Sequence, residues 1–323
     1  MKNVIVITSY NKPDLLFLNL EQLFKQPSIF NYDIEVHTET GYNVECHGVV
    51  NVYQQKYPQI SIKFICKDRE KHPCSLVGFH NILSSYWLAA QNAKDYLIIL
   101  EEDILPTEDY LRFNEEVYKN YLSKYDRIFC VAHKRRPETE LIGNPEILIG
   151  DYQCTSPSCL TVKAVKRYMG PFLVNPFFYQ DVVKFNEYFF PESRIRPHEH
   201  THHDGAIERI MEHYSLFALK PDQTRSMHVG LSGIFCGGTP PQGSLQERIE
   251  QWRELIKDGN KLRKLSNRPE DIVVTDPKGP IWQKLELDLD RVRAKASSWW
   301  YDINNEFKSY ILHQSHPKLT ASE

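Results

Sequence analysis

The first half of the chain alternates short β-branched runs with helix-length amphipathic segments, and few architectures accept that pattern. NVIVIT (3–8), DIEVHTE (33–39), SIKFICK (61–67), DYLIIL (95–100) and RIFCVAH (127–133) read as strands. Between the first two, PDLLFLNLEQLFKQ (13–26) opens with Pro and Asp, as a helix N-terminus should, and repeats apolar residues at helical spacing. HGVVNVYQQKY (47–57), FHNILSSYWLAAQNA (79–93) and EDYLRFNEEVYKNYLSKY (108–125) fill the other gaps. Strands that alternate with helices predict an α/β fold: a mostly parallel sheet covered by helices on both faces, with ligands at the carboxyl ends of the strands.

After Gly150 the pattern loosens. YQCTSPSCLTVKAVKRYM reads as a strand and then a helix, and HEHTHHDGAIERIMEHY ends in a helix. Gly and Pro cluster in GLSGIFCGGTPPQGS (230–244), which marks a boundary or a loop. The expected division is therefore a main domain over 1–240, made of halves 1–104 and 105–240, and a helical C-terminal extension over 241–323. In that extension Trp282, Leu285, Leu289, Val292, Ala296, Trp299 and Ile303 follow the 3-4 spacing of a packed helical seam. The seam is a candidate oligomer contact, and Trp299 with Trp300 a candidate peripheral membrane contact.

Composition removes several classes of function. Over 323 residues, 41% are apolar and 25% charged, which excludes wholesale disorder. A formal charge of -3 gives no support for a nucleic-acid surface. Seven cysteines, an odd number without a CxxC pair, argue against a disulfide framework and a cysteine zinc site, so the expected location is cytoplasmic. NVIVIT is too short for a signal segment, and no run reaches the ~18 apolar residues of a membrane span.

The sharpest local feature is DYLIILEEDILP. Five apolar or aromatic residues, Tyr96 to Leu100, run straight into Glu101, Glu102 and Asp103. Adjacent acids repel one another, so three at the end of a buried element need a cation or hydrogen bonds to offset the cost. Hard oxygen ligands at a strand end suit Mg²⁺ or Mn²⁺. The competing reading is an acidic cap for the helix that PTEDYLRF begins.

The start of the chain and this acidic strand end resemble the GT-A glycosyltransferases. VIVITSYNKPDLLFLNLEQLFKQ is similar to the opening of family 2-type enzymes, in which the loop after the first strand lies on the nucleotide base. Here that loop holds Thr8, Ser9, Tyr10, Asn11 and Lys12. YLIILEEDILPTEDYLRF looks like the acidic motif of the N-acetylglucosaminyltransferase I type, although Glu102 stands where that motif has Asp. The likeness covers the chain from the first strand through the segment that ends near Phe235, and it fades beyond.

The resemblance implies transfer of a sugar from a nucleotide diphosphate sugar, UDP-sugar favoured, to a glycan or other acceptor hydroxyl. It implies Asp103 as metal ligand, His228 of the HVG segment as second ligand, and Asp204 as general base of an inverting transfer, with Glu199 as alternative base. Imidazole beside carboxylate favours Mn²⁺ over Mg²⁺. Thr8, Tyr10, Asn11, Asp68, Asn81, Glu102 and Arg225 are the implied donor-binding residues, with Glu102 acting through water or on the sugar. Asp204 also suits an N-cap, and Arg225 a turn cap.

Other features carry rival readings. His198, His200, His202 and His203 superficially resemble the H-x-H-x-D-H motif of metallo-β-lactamase-type hydrolases, but His203 stands where that motif has Asp. A metallohydrolase using His198 to Asp204 is thus one alternative, and a GT-A-shaped binding protein without turnover is another. His80 could reach ribose or phosphate or be ordinary surface. Lys67, Asp68 and Arg69 follow the third strand at the ligand edge, and HKRRPE (133–138) could meet an anionic acceptor.

Overall fold

The computed structural model describes residues 1–39, 44–67, 77–132, 147–150, 157–175, 181, 184–185, 203–214, 216–221, 225–230, 232–233, 236–237 and 239–258. Its first half runs β1 (Asn3–Thr8), α1 (Pro13–Phe24), β2 (Tyr32–Glu39), α2 (Val44–Lys56), β3 (Ile62–Lys67), α3 (Val77–Asn92) and β4 (Tyr96–Glu101). There follow β5 (Ile104–Pro106), α4 (Tyr110–Val117) with a π turn over Tyr118–Leu122, β6 (Ile128–Ala132), β7 (Ile147–Gly150) and β8 (Pro157–Thr161). Segment α5 joins Val162–Ala164, Val165–Met169 and Gly170–Leu173; α6 (His203–His213), β9 (Phe217–Pro221), β10 (Ser226–His228) and α7 (Leu245–Lys257) complete the elements that matter below. All five anticipated strands form, with ends moved by about one residue.

The large sheet has the order β3-β2-β1-β4-β8-β6-β9-β7. Strands β3, β2, β1, β4, β6 and β9 point one way, while β8 and β7 run against them. The fold is therefore the expected α/β class with a mostly parallel sheet. Parallel strands buried on both faces need near-continuous apolar sequence, and β1 supplies it with Val4, Ile5, Val6 and Ile7, all at most 1% exposed.

Alternate residues feed two cores. Val4, Val6, Leu97 and Ile99 pack with Leu83 and Tyr86 of α3 and with Ile207 and Ile210 of α6. Ile5, Ile7, Ile98 and Leu100 pack with Leu16 and Leu20 of α1, Val50 of α2 and Phe113 of α4. The chain leaves β1 toward β2 and β3, then returns to place β4 on the other side of β1. That reversal opens a crevice beyond the carboxyl ends of β1 and β4, the position where open α/β sheets hold ligands. Thr8 and Glu101 face each other there.

The described part of the expected C-terminal extension, 241–258, holds α7. Ser244 and Glu247 form a capping box that starts α7. The helix lies on α1, with Trp252 and Ile249 packed against Leu15 and Leu18. Trp252 Nε1 donates to Asp14 Oδ2 at 2.6 Å, and Arg253 reaches Glu21 at 2.7 Å. The seam from Trp282 to Ile303, with Trp299 and Trp300, lies outside the described residues. No helix among the described residues is long and apolar enough to cross a membrane.

Trp252 joins the two ends of the described chain through a buried hydrogen bond and apolar contacts. Replacing it with Ala should cost about 3–5 kcal/mol, as removal of a large core aromatic usually does. A urea denaturation midpoint within error of the parent would refute that seat for α7.

Candidate functional site

The site is assembled from two loops at the crevice. β4 ends at Glu101, and the chain turns through Glu102 and Asp103 into β5. Asn19 of α1 clamps this turn by donating to the carbonyls of Glu101 at 3.1 Å and Ile104 at 2.7 Å. The helix-cap reading of the acids is thereby corrected: β5 intervenes, and α4 starts only at Tyr110, after Asp109.

The three acids have different surroundings. Glu102 is buried and holds the loop after β1. Its Oε2 accepts from Ser9 Oγ at 2.6 Å, Tyr10 N at 2.8 Å and Lys12 N at 3.4 Å. Burial raises the Glu102 carboxyl above the usual range, and the Lys12 ammonium and Ser9 hydroxyl offset this only in part. Through this one oxygen the carboxyl group organises the donors of the loop.

Asp103 carries the charged cluster. Its Oδ2 lies 2.6 Å from Lys12 Nζ, and its Oδ1 lies 3.5 Å from His228 Nε2. Burial alone would raise this carboxyl, but Lys12 and His228 outweigh it and hold Asp103 well below the ordinary carboxylate range. Burial would likewise lower the Lys12 amine, and Asp103 and Glu102 reverse that and raise it.

His228 arrives because β10 pairs antiparallel with β5, placing His228 opposite Ile104. Val229 N donates to the Asp103 carbonyl at 2.8 Å. Gly230 completes the cradle, since a Cβ there would stand 2.5 Å from Asp103 Oδ2 and 3.3 Å from His228 Nε2.

Glu101 faces the other way, toward α6. His203 Nε2 lies 3.8 Å from Glu101 Oε1 and 2.8 Å from Asp204 Oδ1, the shorter contact lacking hydrogen-bond alignment. Burial opposes protonation of His203, but Asp204 and then Glu101 outweigh it and push its pKa up to about 9. Asp204 sits in the first turn of α6, which begins at His203, so it lies inside the helix start and keeps 32% of its side chain exposed.

The remaining expected residues divide between contact and support. Tyr10 and Asn11 are exposed on the loop, and Thr8 closes β1 with its Oγ1 3.5 Å from the Leu100 carbonyl. Asn81 is buried: its Nδ2 donates to the Ser9 carbonyl at 3.1 Å, and its Oδ1 accepts from Lys67 Nζ at 2.7 Å. Burial lowers the Lys67 amine well below the usual lysine range. Arg225 is committed to Asp109 at 2.6 Å and lies over the Phe113 ring at 5.2 Å. Its described contacts are those of a clamp between β10 and α4. Asp68, Arg69, His198, Glu199, His200, His202 and residues 133–138 lie outside the described residues.

Lys12, Ser9 and Gly230 were given no individual role by sequence reasoning. One signal for Lys12 was available: three acids need a cation, and Lys12 is the only basic residue between Thr8 and Asp14.

Asp103 and His228 set a carboxylate oxygen and an imidazole nitrogen 3.5 Å apart, and this oxygen–nitrogen donor pair suits a divalent ion as two ligands once it draws the two slightly closer. Among the described residues no group of three His, Cys, Asp or Glu side chains gathers as a metal centre. Any ion here would keep open positions for water or substrate.

No protein-family model matches the chain, and no curated protein sequence matches it significantly. Among solved structures it is similar to a mannosyltransferase from Pyrobaculum calidifontis in complex with GDP-Man and Mn²⁺, at 17% identity and a TM-score of 0.32. That match covers 42% of this chain and 36% of the other. It is also similar to the 1–349 segment of S. aureus TarS in complex with UDP, at 11% identity and a TM-score of 0.41, covering 70% of this chain and 59% of the other. The chain thus spans 36% to 59% of the length of these two proteins. Both likenesses are distant, and the chemistry of the site rests on the chain's own residues.

Two outcomes follow from this geometry. Gly230→Ala must push Asp103 away from Lys12, so it should lower the melting temperature by several degrees; an unchanged melting temperature would sink the cradle. His203, with a folded pKa of about 9 above the ordinary 6.5, contributes stability that is complete below pH 6.5 and lost as pH rises through 9. His213, lowered by burial to about 4, acts oppositely, and its contribution fades as pH falls from 6.5 toward 4. Melting temperature should therefore fall on both sides of neutrality, and His203→Gln should flatten only the alkaline limb.

Proposed function

We propose that this chain is a glycosyltransferase that moves a sugar from a nucleotide diphosphate sugar to an acceptor hydroxyl, with inversion at the anomeric carbon. The observation that carries the reading is that one acidic turn, Glu101 to Asp103, touches Lys12 and His228 through Asp103 and His203, beside Asp204, through Glu101. One side of the acidic turn carries the Lys12 ammonium, a cation that could meet a diphosphate. The other carries a carboxylate at a helix start, suited to an acceptor.

The loop of Thr8, Tyr10 and Asn11 is the proposed seat of the nucleotide, with Asp68 beside it on the resemblance. Glu102 and Asn81 hold that loop from beneath through Ser9, Tyr10 and Lys12. Lys12 supplies an ammonium near the departing diphosphate, where developing charge gains most from a fixed cation. Asp103 and His228 would hold Mn²⁺ or Mg²⁺, and that ion, when bound, supplies Lewis acidity to the diphosphate.

Asp204 is the proposed base. One carboxylate oxygen faces His203, and the other remains to take the proton of an acceptor hydroxyl as it attacks opposite the diphosphate. His203, protonated at neutral pH, orients that carboxylate from the Glu101 side.

Thermal shift with a panel of nucleoside diphosphates, with and without Mn²⁺, tests the reading, and UDP is the first to try. Stabilisation by one nucleotide that grows with Mn²⁺ is expected, and Asp103→Ala should abolish the metal-dependent part. Asp204→Asn should keep nucleotide binding and lower turnover about 10²-fold or more, the span of general-base contributions, read as nucleoside diphosphate release. Binding without turnover by the parent protein, across a panel of acceptors, would favour the binding-protein alternative. Stabilisation by zinc alone would favour the hydrolase.

A further inference from the structure

We infer that Lys12 is a built-in occupant of the cation position: its ammonium holds Asp103 in the ligand-free protein and bars a divalent ion until an anionic diphosphate draws it away. This inference rests on the proposed nucleotide-sugar site and adds an order of binding to it.

The argument starts from the carboxylate. Asp103 is 8% exposed and cannot stand there as an uncompensated charge. Lys12 Nζ at 2.6 Å from Oδ2 provides the compensation within the chain itself. The oxygen that Lys12 occupies is the one Gly230 leaves uncovered, where a Cβ would stand 2.5 Å away. The bare backbone of Gly230 thus keeps room beside that same oxygen.

Lys12 is also placed to let go. Its backbone N is held by Glu102 Oε2 at 3.4 Å, and it directly precedes Pro13, which starts α1, so its main chain is anchored while its side chain reaches Asp103 over several rotatable bonds. The side chain keeps 21% of its surface exposed. A lysine ammonium is a compact point charge on a flexible stem and exchanges one anion for another at little geometric cost.

Lys12 holds Oδ2, while an ion between Asp103 and His228 would take Oδ1, so two cations would stand on the two oxygens of one carboxylate, close enough to repel each other strongly. A divalent ion on Asp103 and His228 therefore competes with Lys12, and a diphosphate that accepts Lys12 relieves the competition. The coupling is reciprocal, so the divalent ion must improve diphosphate binding by the same factor that the diphosphate improves ion binding.

Mn²⁺ binding, read from the loss of the free-ion electron paramagnetic resonance signal, separates the outcomes without reference to activity. The parent protein should bind Mn²⁺ alone weakly, and Lys12→Met should bind it at least ~10-fold more tightly, with Asp103→Asn in the Lys12→Met background removing the gain. Lys12→Arg keeps the charge and should bind Mn²⁺ alone as weakly as the parent, which controls for misfolding of the Met variant. Equal Mn²⁺ affinity in the parent and Lys12→Met, whether tight or absent, overturns the inference. The same titration on the parent with UDP present judges the metal reading separately: Mn²⁺ uptake there leaves the metal site standing even if Lys12→Met changes nothing.

Discussion

Two buried carboxylates, Glu102 and Asp103, at the end of β4 are the constraint on which the rest of the site depends. Each must find compensation in a crevice that β1 and β4 create by reversing the strand order. Glu102 finds it in backbone and hydroxyl donors, Asp103 in an ammonium and an imidazole. The loop after β1 takes its shape from the first solution, and the approach of β10 to β5 serves the second. Glu101 points to the other side and meets the start of α6. Three neighbouring acids thus organise three different segments of the chain.

This arrangement divides support from chemistry. Asn81, Lys67, Ser9 and Glu102 form a buried hydrogen-bonded chain beneath the loop. Groups that could touch a ligand are fewer: the exposed loop residues Tyr10 and Asn11, the partly exposed Lys12 and His228, and Asp204. A buried, hydrogen-bonded lower layer thus carries a few outward groups.

Much of this was legible in the sequence because its signals are local. An apolar run ending in acids marks a buried strand that delivers charge, and the alternation of strand with helix places that end at the ligand edge. Lys12 was hidden because its partner lies 91 residues away in sequence, and only the side-by-side pairing of β1 with β4 brings the two together. Arg225 shows the same dependence on distant partners. Its ion pair to Asp109 and its place over Phe113, both more than a hundred residues earlier, are set by tertiary packing.

The sequence by itself determined the α/β class, the five strands of the alternating half, the acidic turn and the helix that begins near Asp204, since each depends on periodicity or on neighbouring residues. Tertiary structure alone decided which acid does what. Burial and partners differ among Glu101, Glu102 and Asp103 although they are consecutive in the chain. Side chains alternate across a strand end and then diverge in a turn, so three adjacent charges face α6, the β1 loop and β10 respectively.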